Sequence, residues 1–237
     1  MKRLNYLYLL AISAATSNAA TILSTDFSDV TGTGTSTAAF TWDTVDGVDT
    51  PASNLVLSGQ TGSPTLYASS STNEEVNINY QLNPNAGSGR LFFTSTIEDL
   101  SLTTGVDSID LTSFSILYDT RGNGGGNQTA GKNNIEIEVE IIGSISGSLG
   151  SNSVTQSEPG NTAGLTYNID LSSLASLDSS ETYDVVFTVN VADSGGAHYG
   201  AIDNIVLEGD ITLAPEPSSV ALLGLGGLGL MLRRRRN

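Results

Sequence analysis

The chain has 237 residues, with 25 Asp and Glu against nine Lys and Arg, and it contains no cysteine. A formal charge of −16 argues against nucleic acid and anionic lipid as partners, because both carry charge of the same sign. Since no disulfide can form, the fold must depend on its apolar core or on bound metal.

Residues 1–19 are predicted to be a secretory signal peptide that the Sec machinery recognises. Two basic residues precede an apolar stretch over 4–15, which is too short to span a bilayer as a stable anchor. The small residues Ser17 and Ala19 occupy the −3 and −1 positions of a cleavage site. We therefore expect cleavage between Ala19 and Ala20, with an uncleaved N-terminal anchor as the alternative.

From residue 20 onward, the chain shows the period-2 alternation of apolar and polar residues that predicts β-strands. In IEIEVEII the isoleucines and the valine share one face, while Glu136, Glu138 and Glu140 share the other. In YDVVFTVNV the aromatic residues and alternate valines share one face in the same way. Further candidate strands, in chain order, are ATILSTDF, AFTWDTV, NLVLSG, VNINYQL, RLFFTSTI, FSILYDT, LTYNIDL and AIDNIVLEG.

Clusters of turn-forming residues separate these strands, namely NPNAGSG, RGNGGGNQTAGKN, GSISGSLGSNS and DSGGAHYG. The segment LSSLASLDSS is the one helical hint, and we expect it to form a single turn between two strands. About ten strands with one-sided alternation predict an all-β fold, an antiparallel two-sheet β-sandwich of the jelly-roll type. No repeat of fixed period is visible, which argues against solenoids and propellers.

The single domain expected over 20–213 is more acidic than the whole chain. Six of the nine basic residues lie at positions 2, 3 and 233–236, and Glu216 is the one acidic residue outside 20–214. The domain thus has 24 acidic and three basic residues, a net charge near −21. Such a charge favours solubility, cation binding or life in salt water, although a plain solvated surface explains it as well.

The tail over 214–237 contains an apolar run that is short for a membrane span. Counted from 217 to 232 it has 16 residues, which as a helix reach about 24 Å, against a hydrocarbon core of about 30 Å. Four glycines weaken this helix further. The arginines at 233–236 should stay cytoplasmic by the positive-inside rule. We expect a short transmembrane helix that holds the chain temporarily.

The same tail combines a proline-glutamate-proline motif, the apolar helix and a terminal basic cluster, with the residues Pro215, Glu216, Pro217, Arg233, Arg234, Arg235 and Arg236. This order and spacing resemble the PEP-CTERM sorting signal of Gram-negative bacteria. The resemblance implies export, transient anchoring in the inner membrane and cleavage near the motif by an exosortase. It further implies delivery to the cell surface or to the extracellular polysaccharide matrix. A plain tail anchor is the alternative.

A second resemblance covers about 45 residues, from YNIDLSSL through YDVVFTVNVADSGGAHYGAIDNIVLEGD. This stretch is similar to the C-terminal half of bacterial jelly-roll domains of the laminin-G-like or carbohydrate-binding-module type. Such domains often close on a strand that reads Ile-Asp-Asn-Ile or Ile-Asp-Asn-Val. The resemblance supports the predicted fold more than it supports any function.

Asp203 is the candidate for a structural calcium site. It lies two residues before Ile205 and should share the core face with it, where a carboxylate needs backbone donors, a cation or a place at the end of the sheet. Binding modules of the resembled type often tie their first and last strands with Ca²⁺, which implies Asp26 and Asp203 as ligands. Hydrogen bonds from neighbouring loop amides are the alternative.

Two patterns could carry catalysis, and we weigh both against simpler interpretations. One is the glutamate row of EIEVE, read as a glycosidase pair. Retaining enzymes need carboxyls about 5–5.5 Å apart, whereas i and i+2 residues of a strand lie about 6.5–7 Å apart at Cα, and a solvated strand face is the simpler interpretation. His198, the one histidine, could act as a base with Tyr199 if Arg90 or Arg121 came close; loop packing is the alternative. Aromatic platforms for sugars are scarce, since Trp42 is the one tryptophan.

We therefore expect an exported, non-catalytic surface or matrix protein with a structural or glycan-contacting role. A secreted carbohydrate-active enzyme, a glycosidase or a polysaccharide lyase, is the alternative. A scaffold without glycan specificity is a third interpretation. Structural calcium is the one cofactor expected.

Overall fold

The computed structural model describes residues 17–27, 33–35, 40–52, 56–58, 63–67, 77–81, 91–122, 132–158, 165–191 and 198–214. The expected signal peptide up to residue 16 and the tail from residue 215 lie outside the described residues. Among the residues that are described, no helix has the length and apolar character needed to cross a membrane.

The described residues form fourteen β-strands. They are β1 Ser17–Thr25, β2 Thr33–Thr35, β3 Thr44–Val45, β4 Val56–Ser58, β5 Ser63–Tyr67, β6 Asn77–Gln81, β7 Leu91–Leu100, β8 Val106–Gly122, β9 Lys132–Gly143, β10 Gly147–Glu158, β11 Leu165–Asp170, β12 Leu177–Asp178, β13 Tyr183–Val191 and β14 His198–Leu213.

Two large antiparallel sheets make up the fold. The six-stranded sheet has the order β11-β8-β14-β1-β3, with β12 also paired to β8, and the five-stranded sheet has the order β10-β9-β13-β7-β4. A smaller sheet has the order β2-β5-β6. The chain passes from one large sheet to the other after β3, β7, β8, β10, β12 and β13, so neighbours in a sheet are often distant in sequence. The prediction of an all-β, two-sheet sandwich is confirmed.

The core lies between the two large sheets. Phe114 on β8 and Phe187 on β13 are fully buried, and their ring centroids are 5.6 Å apart, so they join one sheet to the other. Tyr118 and Tyr167 form a second aromatic contact within the six-stranded sheet, at 6.3 Å. Apolar residues from β1, β9 and β14 complete the same cluster.

The alternation predicted for β9 and β13 is confirmed. On β9 the residues Ile135, Ile137, Val139 and Ile141 are fully buried, whereas the glutamates between them are half-buried or exposed. On β13, Tyr183 and the alternate apolar residues up to position 189 are buried. The segment 171–180 contains a turn, with Leu174 N donating to Leu171 O, as the sequence predicted.

Two local predictions are wrong. The segment GSISGSLGSNS was predicted to be a turn, but most of it belongs to β10, a twelve-residue strand at the edge of its sheet. Pairing with β9 supplies the backbone hydrogen bonds, so few apolar side chains are needed there. AFTWDTV was predicted to be a strand, but its strand part is the two-residue β3. The backbone still contacts β1, because Asp43 N donates to Ser24 O and Asp46 N to Ile22 O, both at 2.9 Å.

One end of the sandwich, which we call the tail pole, holds the end of β14. Leu213 pairs there with Val106. The end of β7 lies at this pole as well, because β7 ends at Leu100 and β8 begins at Val106. Tyr183 pairs with both Leu100 and Gly143, so the turn between β9 and β10 also lies at the tail pole. The opposite end, the far pole, holds the end of β1 and the part of β14 around Asp203.

Candidate functional site

The two predicted calcium ligands lie close together at the far pole. Thr25, which precedes Asp26, pairs with Ile205, two residues after Asp203. The first and last strands of the domain are therefore neighbours in one sheet, and each brings one predicted ligand to the end of the β1–β14 pair.

Asp203 is buried, with 5% of its surface exposed. Its Oδ1 accepts a hydrogen bond of 2.7 Å from the backbone amide of Asn204. The burial that the sequence predicted is thus confirmed, but the predicted core face is wrong.

A β-bulge explains the difference. Asp203 pairs with Leu117, whereas its neighbour Ile202 pairs with the buried Tyr118. Directly opposed residues share a face, so Asp203 lies on the face away from Tyr118. Asn204 then has a left-handed φ of 47°, and the pairing register shifts. The extra residue breaks the two-residue spacing from which the core face was predicted.

Asp43 joins this pole, although the sequence did not predict it. The amide of Asp26 donates a hydrogen bond of 2.8 Å to Asp43 Oδ2. Asp43 lies in the segment predicted to be a strand, and no local pattern marks its contact with a residue 17 positions earlier. In the part of the chain that the structure describes, no group of three or more His, Cys, Asp or Glu is arranged to hold a metal ion.

A polar surface, which we call the glutamate face, covers the outer side of the five-stranded sheet. By strand register its polar residues include Glu136, Glu138, Glu140, Ser151, Ser153, Thr155, Thr188, Asn190, Thr94 and Thr96, and Val186 lies on the same side opposite Glu140. The hydroxyls of Thr94 and Thr188 are 3.1 Å apart and form a hydrogen bond across β7 and β13. The face therefore presents carboxylates in the middle and hydroxyl or amide groups on both sides.

Two of the glutamates are held by neighbouring strands. Ser151 Oγ donates a 2.8 Å hydrogen bond to Glu138 Oε1, and Asn190 Nδ2 donates a 3.2 Å hydrogen bond to Glu136 Oε2. These bonds fix the side chains in place while Glu138 stays exposed. The arrangement can accept hydrogen bonds from a ligand rich in hydroxyl groups.

The aromatic side chains that the structure describes are all buried and leave no platform for stacking on a sugar within that part of the chain. Trp42 is 6% exposed, and its ring meets Phe40 edge to face at 4.9 Å. The full set is Phe27, Phe40, Trp42, Phe114, Tyr118, Tyr167, Tyr183 and Phe187.

The predicted signal-peptide cleavage site lies inside β1. Ala19 pairs with Asp210 and Ala20 with Gly209, both on β14. A cleft of about 380 Å³ lies beside these residues. Its lining includes Asn18, Asp46, Gly47, Thr103, Ile211 and Leu213.

The predicted loop position of His198 and Tyr199 is wrong, because both residues begin β14 and pair with Gly122 and Arg121. Their side chains, and all of Arg90, lie outside the described residues. The sorting residues from Pro215 onward also lie outside them.

A carboxylate outside the predicted sites fastens the β9–β10 turn. Glu181 Oε2 accepts hydrogen bonds from the amides of Ile145 at 2.6 Å and Ser146 at 2.9 Å. The amide and hydroxyl of Ser146, followed by the amide of Ile145, hold the Glu181 pKa below its ordinary value of 4.5. A Cβ at Gly143 would lie 2.6 Å from Glu181 Oε2, so glycine permits this approach.

Replacing Glu181 with glutamine should lower Tm at pH 7. A carboxyl whose pKa is lowered by folding stabilises the protein above its unfolded pKa, and this contribution disappears as pH falls through the folded pKa. We therefore expect the Tm values of wild type and E181Q to approach each other as the pH falls below the ordinary glutamate pKa of 4.5. Thermal unfolding followed by circular dichroism at pH 7 and pH 3 measures this.

The control for E181Q is E138Q, which removes the same charge from the glutamate face instead of from the turn. In a domain this acidic, loss of a charge alone should not destabilise. Equal Tm losses in the two variants at pH 7 would contradict the assignment of Glu181 to the turn.

The family model of the PEP-CTERM protein-sorting motif matches residues 213–236. The chain therefore carries this motif, which marks an exported protein with a membrane-anchored sorting signal. The match begins at Leu213, the last residue of β14, so the signal adjoins the sandwich directly. None of the curated proteins matches the chain.

Several solved structures similar to this one are carbohydrate-binding modules. A CBM4 module is 10% identical and covers 65% of this chain and 94% of its own, with a TM-score of 0.35. The family 11 module from Clostridium thermocellum, in complex with a β-1,3-1,4-mixed-linked tetrasaccharide, is 14% identical. It covers 70% of this chain and 90% of its own, with a TM-score of 0.35. A mannan-recognising module is 10% identical and covers 81% of this chain and 98% of its own, with a TM-score of 0.33. Likeness this low carries no argument about a ligand, and the two-sheet fold rests on the strand pairing above.

Proposed function

We propose that the chain is an exported, non-catalytic protein of a Gram-negative cell surface or extracellular matrix. The observation that carries this proposal is the sorting motif at 213–236, joined directly to an acidic β-sandwich. The Sec machinery exports the chain, the tail holds it in the inner membrane, and an exosortase releases it near Pro215, Glu216 and Pro217.

Mass spectrometry of the C-terminus, combined with cell fractionation, tests the sorting part of the proposal. The expected result is a full tail in the inner-membrane pool and a tail shortened near Pro217 in the surface or matrix pool. An intact tail in the final surface pool would refute cleavage and leave a plain tail anchor.

The glutamate face is the proposed site of glycan contact. Its carboxylates are positioned by hydrogen bonds from Ser151 and Asn190, so they accept bonds from sugar hydroxyls without first becoming ordered. The net negative charge repels acidic polysaccharides unless cations bridge the two, so neutral glycans are the favoured ligands. The role is binding or scaffolding in the extracellular polysaccharide.

Replacing Glu136 and Glu138 with glutamine should weaken binding of the full chain to neutral polysaccharides by about tenfold or more. A hydrogen bond to a charged group contributes about 1.5–3 kcal/mol, of which the neutral amide keeps only part. A glycan array followed by calorimetry measures the change.

E208Q is the matched control for the glycan variants. Glu208 lies on the outer side of the other sheet and accepts a 2.7 Å hydrogen bond from Ser113 Oγ, as Glu138 does from Ser151. It should bind like wild type. No binding by wild type would favour the scaffold without glycan specificity, and equal losses in all variants would remove the glutamate face as the site.

A structural calcium ion at the far pole is part of the same proposal. Asp26 and Asp203 would hold it, with Asp43 near enough to hydrogen-bond the Asp26 amide. Carboxylate oxygens are the ligands that Ca²⁺ prefers, and it takes six to eight oxygens. When bound, the ion would tie the first strand to the last.

Chelation of calcium should lower Tm. An ion present at a hundredfold excess over its Kd stabilises the native state by about 2.7 kcal/mol, or roughly 5–10 °C in Tm for a domain of this size. Differential scanning calorimetry of the full chain with Ca²⁺ and with EDTA measures the shift. For D203N the unfolding curves with Ca²⁺ and with EDTA should coincide. A wild-type Tm that EDTA leaves unchanged would refute the calcium site.

A further inference from the structure

The end of β14 that leads into the sorting motif is paired on both sides when residues 17–19 are present. Thr212 pairs with Ser17 on β1 and with Ser108 on β8. Leu213, where the motif match begins, pairs with Val106. In this state the segment is an internal part of the sheet.

Removal of the signal peptide changes this pairing. Residues 17–19 supply three of the eight residue pairs between β1 and β14, and these three oppose residues 210–212. After cleavage between Ala19 and Ala20, β14 keeps β1 as its neighbour up to residue 209. Residues 210–212 then have a free edge on the β1 side, and the backbone N–H and C=O groups that point to that side no longer have a strand beside them, while the others remain beside β8.

The rest of the sandwich does not depend on the removed residues. Asn18 and Ala19 are exposed, so their loss uncovers backbone at the edge of β14 without opening the core. The cleft of about 380 Å³ already lies beside them, and it widens when they leave. An extended chain therefore has room along this edge.

An enzyme that cuts near Pro215 works close to this edge. Leu213 and Ala214 separate Thr212 from Pro215, and three residues of extended chain span about 10 Å. An extended segment is held by backbone hydrogen bonds where the strand beside it has a free edge. In the uncleaved chain residues 17–19 occupy that edge.

We propose that the edge at residues 210–212, opened by signal-peptide removal, is the docking site of the peptidase that cuts the tail. The inference rests on the proposed function, because it requires both cleavages. It adds an order to them: the N-terminal cut precedes the C-terminal cut, and residues 17–19 act as a removable cover.

A chain that keeps the cover after export tests the proposal in cells. A cleavage site placed before Ser17, together with Ala19→Val to disable the natural site, yields an exported chain that still contains residues 17–19. Mass spectrometry after a pulse of synthesis measures the rate of tail removal. This rate should be roughly tenfold or more below that of wild type, since at least one net hydrogen bond has to open.

The matched control carries the same upstream site with Asn18→Pro and Ala19→Pro. Hydrogen-bonded and non-bonded pairs alternate along an antiparallel ladder, so one of the two prolines falls at a bonded position and breaks the cover. This chain should lose its tail at the wild-type rate. Cutting of the covered chain at the wild-type rate would overturn the inference while the proposed function stands.

Hydrogen exchange separates failure of the inference from failure of the proposed function. Full chains purified with either N-terminus should differ at those amides of residues 210–212 that point toward β1, which exchange faster when the chain begins at Ala20. Equal protection would overturn the inference, whatever the processing result. A wild-type chain that never loses its tail would instead refute the proposed cleavage itself.

Discussion

Replacing Phe187 with alanine is expected to lower the free energy of unfolding by about 3–5 kcal/mol. Phe187 has no exposed surface, and its ring meets Phe114 across the space between the two large sheets. Truncation removes apolar contact area and leaves a cavity that the two sheets cannot close, because each is held by its own hydrogen bonds. Since the chain has no cysteine, no disulfide limits the loss.

This effect is a large part of the 5–15 kcal/mol that stabilises a typical domain. Urea unfolding of the full chain, followed by tryptophan fluorescence, measures it. The control is Ile145→Ala, because Ile145 is 79% exposed in the β9–β10 turn and should change stability by less than about 0.5 kcal/mol. Similar losses for both variants would contradict the position of Phe187 in the core between the two large sheets.

Replacing the arginines at 233–236 with glutamine is expected to abolish retention of the chain in the inner membrane. Moving an arginine through the bilayer centre costs about 2.5–3.5 kcal/mol on insertion scales, so four of them form a strong barrier to translocation. Without them, a 16-residue apolar run interrupted by four glycines remains, and it is too short to hold the chain. The expected product is soluble and keeps its full tail.

The matched control replaces the same four residues with lysine, which keeps the charge and should be retained and processed like wild type. Cell fractionation with intact-mass measurement distinguishes the three chains. A glutamine variant that fractionates and is cut like wild type would show that the arginines do not hold the tail.

Strands with a buried face could be predicted from the sequence, because burial imposes a period of two on the side chains. The isoleucines of β9 and the apolar residues of β13 show this pattern without interruption. The serine- and glycine-rich β10 could not be predicted, since its outer edge has no strand beside it among the described residues and its hydrogen bonds come from β9. The composition of a segment does not indicate which strand its backbone pairs with.

The functional residues also divide into those that the sequence predicted and those that it did not. The sorting motif is a contiguous signal, so the sequence alone identified it, and the motif match agrees. The burial of Asp203 was predicted, but the bulge at Asn204 was not, because one inserted residue leaves no compositional trace. Glu181 escaped prediction because its partners lie 35 residues away.

β14 also has a mechanical role that follows from its position. Asp203 and Leu213 lie ten residues apart on this strand, a separation of about 33 Å in extended chain. A pull on the tail at Leu213, with the rest of the domain held, therefore acts along the axis of β14. The hydrogen bonds to β8 then bear the load together, in shear, and do not open one after another. Attachment through an internal strand thus lets a domain without covalent cross-links resist pulling.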